Sequence, residues 1–322
     1  MTPAFIASPH ENGFHIGPFF FHVYGIAYVF AVAAAILISR RRWAKAGGNP
    51  DLIYEVAMWG FPAGLIGGRI YFDITTPSQI TPHKWYGVFE IWQGGLGIWG
   101  GIAGGAAGGL WILYRRLDRD QIRRFMDVAA PGLLVAQAIG RIGNYFNQEL
   151  FGKPTTLPWG LKIDLAHRPA GFERFATFQP TFLYEIIWNL ALAGFLVWLG
   201  ARRRIRAPGL FALYVAGYSA FRIFEETLRI DYSKHILGLR LNFWVAGLLC
   251  LFGLAWFVAI QKGWRGSPLA GPRAEPTGRP AASASSKPPA PAVTGSAARA
   301  RAAKAGKPAK GSKPAPSGKT RP

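Results

Sequence analysis

Cysteine is nearly absent: Cys250 stands alone in 322 residues, which excludes any intrachain disulfide, and its apolar surroundings make it a packing residue. Charge is scarce too. Asp, Glu, Lys and Arg account for 16% of the chain against 50% apolar residues, a balance that argues against a water-soluble core and for long helices buried in lipid. Acids are the scarcest charged class, 16 against 37 Lys and Arg. The net charge of +21 would suit nucleic acid, but its distribution argues against a nucleic-acid groove. From Arg265 onward twelve Lys/Arg face a single acid, Glu275, and most other positives lie in short loops between apolar runs. The six histidines include no pair at metal-ligand spacing, so neither a metal nor a cofactor is expected.

What is present is a succession of apolar runs, each about 17 to 22 residues long, enough for a helix to cross the roughly 30 Å hydrocarbon layer. Seven are read, over residues 22–39, 52–72, 95–114, 125–143, 180–200, 208–226 and 241–261. Basic clusters follow the first (Arg40, Arg41, Arg42, Lys45), the third (Arg115, Arg116, Arg119, Arg123, Arg124), the fifth (Arg202, Arg203, Arg204, Arg206) and the seventh (Lys262, Arg265). Alternate boundaries are therefore cytoplasmic by the positive-inside rule. The expected fold is an all-α polytopic membrane protein over residues 1–264, with seven transmembrane helices, the N-terminus outside and the C-terminus cytoplasmic. No cleavable leader is expected, because the first run lacks a basic n-region and is not followed by a small-residue cleavage site.

Residues 265–322 are rich in Ala, Pro, Lys, Ser and Gly and contain no aromatic residue, which predicts a disordered, solvated cytoplasmic tail. Residues 144–179, with Pro154, Pro158, Trp159, Gly160 and Pro169, read as a small extracytoplasmic head of loops and short strands, flanked by outer loops at 73–94 and 227–240. In the third run Gly97, Gly101, Gly105 and Gly109 form one row at four-residue spacing, and Gly100, Gly104 and Gly108 form another. Such rows let another helix approach closely. At its outer end, glycines crowd around Trp99 and suit a flexible loop entering the bundle.

Against this apolar background, the segment Gly140-Arg141-Ile142-Gly143-Asn144-Tyr145-Phe146-Asn147-Gln148-Glu149-Leu150-Phe151-Gly152 places an arginine, two asparagines and a glutamate where the fourth run ends. Charge at membrane depth is costly and usually functional. Arg69, Arg141 and Arg222 all fall in the outer halves of runs two, four and six, so they can converge. Tyr218, Arg222, Glu226 and Arg229 recur at helical spacing on one face. A guanidinium is a permanently charged fork that suits phosphate, and near the outer headgroup layer the most available phosphate belongs to a phospholipid.

The same segment resembles the signature of the bacterial prolipoprotein diacylglyceryl transferases, G-R-x-G-N, then an aromatic, then x-N-x-E-x-x-G. Further pieces resemble the family in order: His22-Val23-Tyr24-Gly25, Gly67-Gly68-Arg69-Ile70-Tyr71, Gln179-Pro180-Thr181-Phe182-Leu183-Tyr184-Glu185, and Tyr218 through Arg222 to Glu226. The resemblance covers about residues 10 to 262. It implies an enzyme of the bacterial plasma membrane, its active site towards the outer leaflet, with phosphatidylglycerol and the lipobox segment of preprolipoproteins as substrates. The diacylglyceryl group would pass to the lipobox thiol as a thioether, with release of glycerol phosphate. The implied catalytic residues are Arg141, Glu149, Arg222, Asn144 and Tyr24. Arg141, Arg222, Arg69, Asn147, Gly152, Tyr218 and Glu226 are the implied phospholipid-binding residues.

Two positions depart from the pattern. Tyr145 stands for the signature's Phe, and Trp99 stands where many relatives have the histidine of a His-Gly-Gly. Indole accepts no proton, so a base at position 99 is excluded, which leaves the arginine field with Glu149 or Glu226 as acceptor. A transporter or a non-catalytic scaffold for lipoprotein precursors remains the alternative, although no internal repeat supports the former.

Overall fold

The computed structural model describes residues 5–77, 87, 89 and 94–263. The expected tail over 265–322, His83 and most of the outer loop over 73–94 lie outside the described residues.

Each expected run is a helix: α1 (Val23–Lys45), α2 (Asp51–Thr75), α3 (Ile98–Arg116), α4 (Arg119–Phe146), α5 (Thr181–Arg202), α6 (Gly209–Leu228) and α7 (Leu241–Gln261). Four of them, α1, α4, α5 and α7, are long and apolar enough to cross a membrane. The other three carry the glycine rows (α3) or internal charge (Glu55, Arg69 and Asp73 in α2, Arg222, Glu225 and Glu226 in α6). α4 is longer than its apolar stretch at both ends. Its start is set by a capping box: Asp118 accepts from the Asp120 and Gln121 amides, and the Gln121 side chain accepts from the Asp118 amide.

α2 and α3 pack along the glycine rows, and the row Gly100–Gly104–Gly108 makes the nearest approach. An added Cβ would overlap the Gly67 carbonyl at Gly100, the Ala63 carbonyl at Gly104 and the Trp59 carbonyl at Gly108. Only glycine lets the two backbones lie this close. The partner demanded by that row is thus α2. The expected flexible loop around Trp99 is instead tied down: Gly97 donates its amide to the Gly68 carbonyl at 2.8 Å, and Gly94 and Gly95 turn the chain with φ of 88° and 77°. At their basic ends α1 to α4 close around Trp43, Leu52, Ile53, Ile112, Leu113, Ile122, Phe125 and Val128. α4, α5 and α6 close around Leu134, Ala193, Leu196 and Leu210. Asp127 reaches from α4 to accept the Phe211 amide in the first turn of α6, at 2.9 Å.

Short strands gather beyond the other helix ends. β1 (Ile6–Ala7), β4 (Leu161–Lys162) and β5 (Thr177–Phe178) form one sheet in the order β1-β4-β5, parallel then antiparallel. β2 (Gly13–Ile16) and β3 (Phe19–His22) form a hairpin leading into α1, and β6 (His235–Ile236) and β7 (Leu239–Arg240) form another leading into α7. Residues 144–179 therefore hold the loops and short strands expected, with a core of Phe151, Leu161, Ile163 and Phe178. The N-terminal strand of that sheet was not expected, because two residues are too few to show a period.

Candidate functional site

α4 remains helical through Arg141 to Phe146, so Arg141 and Asn144 share a face and Arg141 Nη1 donates to Asn144 Oδ1 at 3.0 Å. The chain then turns sharply. Gln148 and Leu150 take left-handed backbone angles (φ 51° and 58°), costly for residues with a Cβ and tolerated when the surroundings over-determine them. Those surroundings are visible. Buried Gln148 donates to the Pro9 carbonyl and to Asp164 Oδ2 and accepts from the Asp164 amide, while the Leu150 carbonyl accepts from Thr181 Oγ1. The turn folds Glu149 back over the helix end. Its Oε1 accepts from Asn144 Nδ2 at 2.7 Å and from Asn147 Nδ2 at 3.4 Å.

Gly152 completes the turn by close approach. Its amide donates to the Gln179 carbonyl at 2.9 Å, and a Cβ there would crowd Gln179, Thr181 and the Leu228 carbonyl. The signature's last glycine therefore lets the outlet of α4 meet the start of α5 and the end of α6. Gly143 has a similar duty toward α1, since a Cβ there would overlap the Tyr24 ring. The Tyr24 hydroxyl lies 3.5 Å from that of Tyr28.

Glu185 of α5 joins the two arginines. It is wholly buried, with Oε2 2.8 Å from Arg141 Nε and 3.8 Å from Arg222 Nη1, and Oε1 accepting from the Tyr218 hydroxyl at 3.1 Å. The Arg141 contact is close but off the N–H axis, so it is an ion pair rather than a directed hydrogen bond. Arg222 is held on both prongs, Nη1 by Glu225 and Nη2 by Glu226, each at 2.5 Å. The far oxygen of Glu226 meets Arg240 Nε at 2.6 Å, and Arg240 also grips Asp231, which pairs with Arg229.

The two arginines are consequently unequal. Arg222 and Glu226 have their charges matched within the protein, whereas Arg141 Nη2 has no hydrogen-bond partner among the described residues. Glu149 is exposed and is held only by neutral amides there, so it is the carboxylate of the cluster without a cation. An open guanidinium edge next to an unpaired carboxylate can receive an anion and a proton side by side.

The expected residues do not all come together. Arg141, Asn144, Asn147 and Glu149 form one bonded set, joined to Arg222, Tyr218 and Glu226 through Glu185. The described partners of Arg69, which are Asp73 and the carbonyls of Gly87, Gly94 and Gly95, are not shared with Arg141 or Arg222. Arg69 thereby braces the α2–α3 connection. Arg229, expected on the Arg222 face, falls just beyond α6 and pairs with Asp231. Trp99, the second residue of α3, is 42% exposed and makes no ring contact or hydrogen bond with this cluster among the described residues. Sequence reasoning missed Glu185 and Glu225, although an acid inside an apolar run carries the same signal that exposed Arg141. Arg240 and Gln148 had no such local signal.

The family model described as prolipoprotein diacylglyceryl transferase matches residues 11–259, a stretch that contains the whole of this cluster. The chain is 46% identical over 260 residues to phosphatidylglycerol--prolipoprotein diacylglyceryl transferase 2 of Streptomyces coelicolor, covering 80% of this chain and 81% of that one. It is 44% identical to the transferase of Frankia alni (81% and 69% covered) and 48% identical to that of Cutibacterium acnes (74% and 80% covered). With likeness running through all seven helices and the signature turn, the chain belongs to the prolipoprotein diacylglyceryl transferase family.

Proposed function

We propose that this integral membrane protein transfers the diacylglyceryl group of phosphatidylglycerol to the thiol of the lipobox cysteine in preprolipoproteins, the first step of lipoprotein maturation. The observation that carries the reading is the open Nη2 edge of Arg141, set in the signature turn beside Glu149. Seven crossings of the bacterial plasma membrane, with the basic helix ends in the cytoplasm, put this turn at the outer leaflet. Family membership and the names of the relatives support both substrates.

In the reaction the thiol sulfur attacks the phosphate-bearing carbon of the diacylglycerol. A C–S bond forms, the C–O bond breaks, and its electron pair leaves on glycerol phosphate. Arg141 holds the phosphate and stabilises the charge that develops on the leaving oxygen, an effect worth several kcal/mol, about 3 for a single well-placed donor. Asn144 orients Arg141 and, with Asn147, orients Glu149. Glu149 takes the thiol proton, which finally passes to the phosphate monoester. Glu226 is the weaker choice of acceptor, because both of its oxygens already face arginines. Arg222 adds field rather than a free donor prong, and Tyr24 and Tyr218 line the site with hydroxyls. Gly152 and Arg69 serve the lipid site by shaping the turn and the α2–α3 mouth.

The test is to incubate membranes containing the protein with labelled phosphatidylglycerol and a lipobox peptide. A labelled thioether adduct with release of glycerol phosphate is expected. Intact, folded protein that yields no adduct would favour the scaffold or transport reading.

A further inference from the structure

Arg141 and Arg222 act on one headgroup site, yet two guanidinium groups repel each other, and at this depth the repulsion is weakly screened. Something must hold them on one spot. Glu185 is the group placed to do so: one of its oxygens faces both arginines, at 2.8 and 3.8 Å, from a helix to which neither belongs. Its other oxygen is fixed by the Tyr218 hydroxyl, so the carboxylate cannot swing to serve one arginine alone. Wholly buried, it has no water to compensate for losing these partners.

We infer that Glu185 is a positioning residue, a buried counter-charge that holds Arg141 and Arg222 side by side at the headgroup site, so that Arg141 can grip the phosphate within the field of Arg222. It touches neither the reacting carbon nor the thiol. Its Nε contact leaves Nη2 of Arg141 open toward the phosphate, while Glu225 and Glu226 keep Arg222 from closing onto Arg141. The charge balance follows. Each buried acid of the cluster is matched inside the protein, so Glu185 can fix the arginines without filling the donor edge that the lipid phosphate needs.

This inference rests on the phosphatidylglycerol reading, and the experiment separates the two. The full-length protein is placed in nanodiscs of phosphatidylcholine with or without phosphatidylglycerol, and both thermal unfolding and adduct formation are followed. Wild type should unfold at a higher temperature with phosphatidylglycerol, because a ligand that binds only the folded state stabilises it. No such increment and no adduct would overturn the functional reading itself. With wild type active, Glu185→Gln should unfold below wild type in phosphatidylcholine, because it leaves buried guanidinium charge unmatched, and should also lose most of the phosphatidylglycerol increment and lower kcat/KM by about 10- to 100-fold, chiefly through KM.

Glu185→Asp, which keeps the charge, should recover part of both losses. In an Arg141→Gln background the increment should already be lost, and Glu185→Gln should remove no more, as expected for residues acting as one unit. An undiminished increment in Glu185→Gln would overturn the positioning role and leave the functional reading standing. Should Glu185→Gln fail to fold in phosphatidylcholine, Glu185→Asp carries the same cycle. Its carboxylate, shorter by one methylene, cannot serve both guanidinium groups. A full phosphatidylglycerol increment and full kcat/KM in that variant would refute the proposal.

Discussion

Asn144 Nδ2 donates to Glu149 Oε1 at 2.7 Å, and Asn144 Oδ1 accepts from Arg141 at 3.0 Å, so one buried amide links the cation and the acid of the site. The amide can do both only in one orientation. Its burial, 3% exposed, keeps water from replacing either bond.

Asn144→Asp should therefore be more harmful than its size suggests, because it replaces the donor to Glu149 with a second negative charge. A loss of about 100-fold or more in adduct formation is expected, with folded protein still present. Single-turnover assays in membranes measure it.

Removal of the open guanidinium is the sharpest check on the phosphate role. Arg141→Ala should abolish measurable transfer, and Arg141→Lys, which keeps charge but loses the fork, should retain no more than about 1%. Unchanged activity in Arg141→Ala would refute the assignment.

Glu149→Gln should lower kcat by about 10²- to 10⁴-fold while leaving the affinity for phosphatidylglycerol near that of wild type, as for loss of a proton acceptor. A more acidic lipobox thiol analogue should suffer less from the substitution. Equal losses for both thiols would argue against proton transfer to Glu149.

Gly143→Ala forces a methyl group into the Tyr24 ring between α4 and α1. A destabilisation of about 1–3 kcal/mol is expected from the overpacking, and the shift of Tyr24 should also lower activity. Thermal unfolding in detergent reads the first effect.

The Asp164 carboxyl is held below its ordinary range by the hydrogen bond from Gln148 and then by that from His10. A folded-state value below the unfolded one means that the contribution of this clasp is present above about pH 3.9 and fades as pH falls further. From about pH 4 downward wild type should lose thermal stability more steeply than Asp164→Asn, which has no proton to gain. Parallel curves would show that the clasp is not linked to folding.

Much of this protein was legible in its sequence because the bilayer imposes a strict solvent. Apolar runs of spanning length mark helices wherever they occur, so all seven helices could be placed to within a few residues at most ends. Charge in an apolar run is rare enough to stand out, which exposed Arg141 and Arg222. The glycine rows of the third run announced close packing, though not their partner, since either row suits a neighbour and only the paired backbones of α2 and α3 select Gly100, Gly104 and Gly108.

Composition, helix pattern and the signature segment thus determined by themselves the helical membrane class and the family and marked the candidate site, because each depends on local chemistry. Tertiary structure alone decided which charges pair between elements. Sequence spacing grouped Arg222 with Glu226, which the structure pairs, and with Arg229, which it does not; it treated Arg69, Arg141 and Arg222 alike, whereas packing sends Arg69 to the α2–α3 connection. It also brings Arg240 to Glu226, and Glu185 between Arg141 and Arg222. Ion pairing in a buried site depends on distances of a few ångströms between different helices, and no one-dimensional pattern encodes those distances.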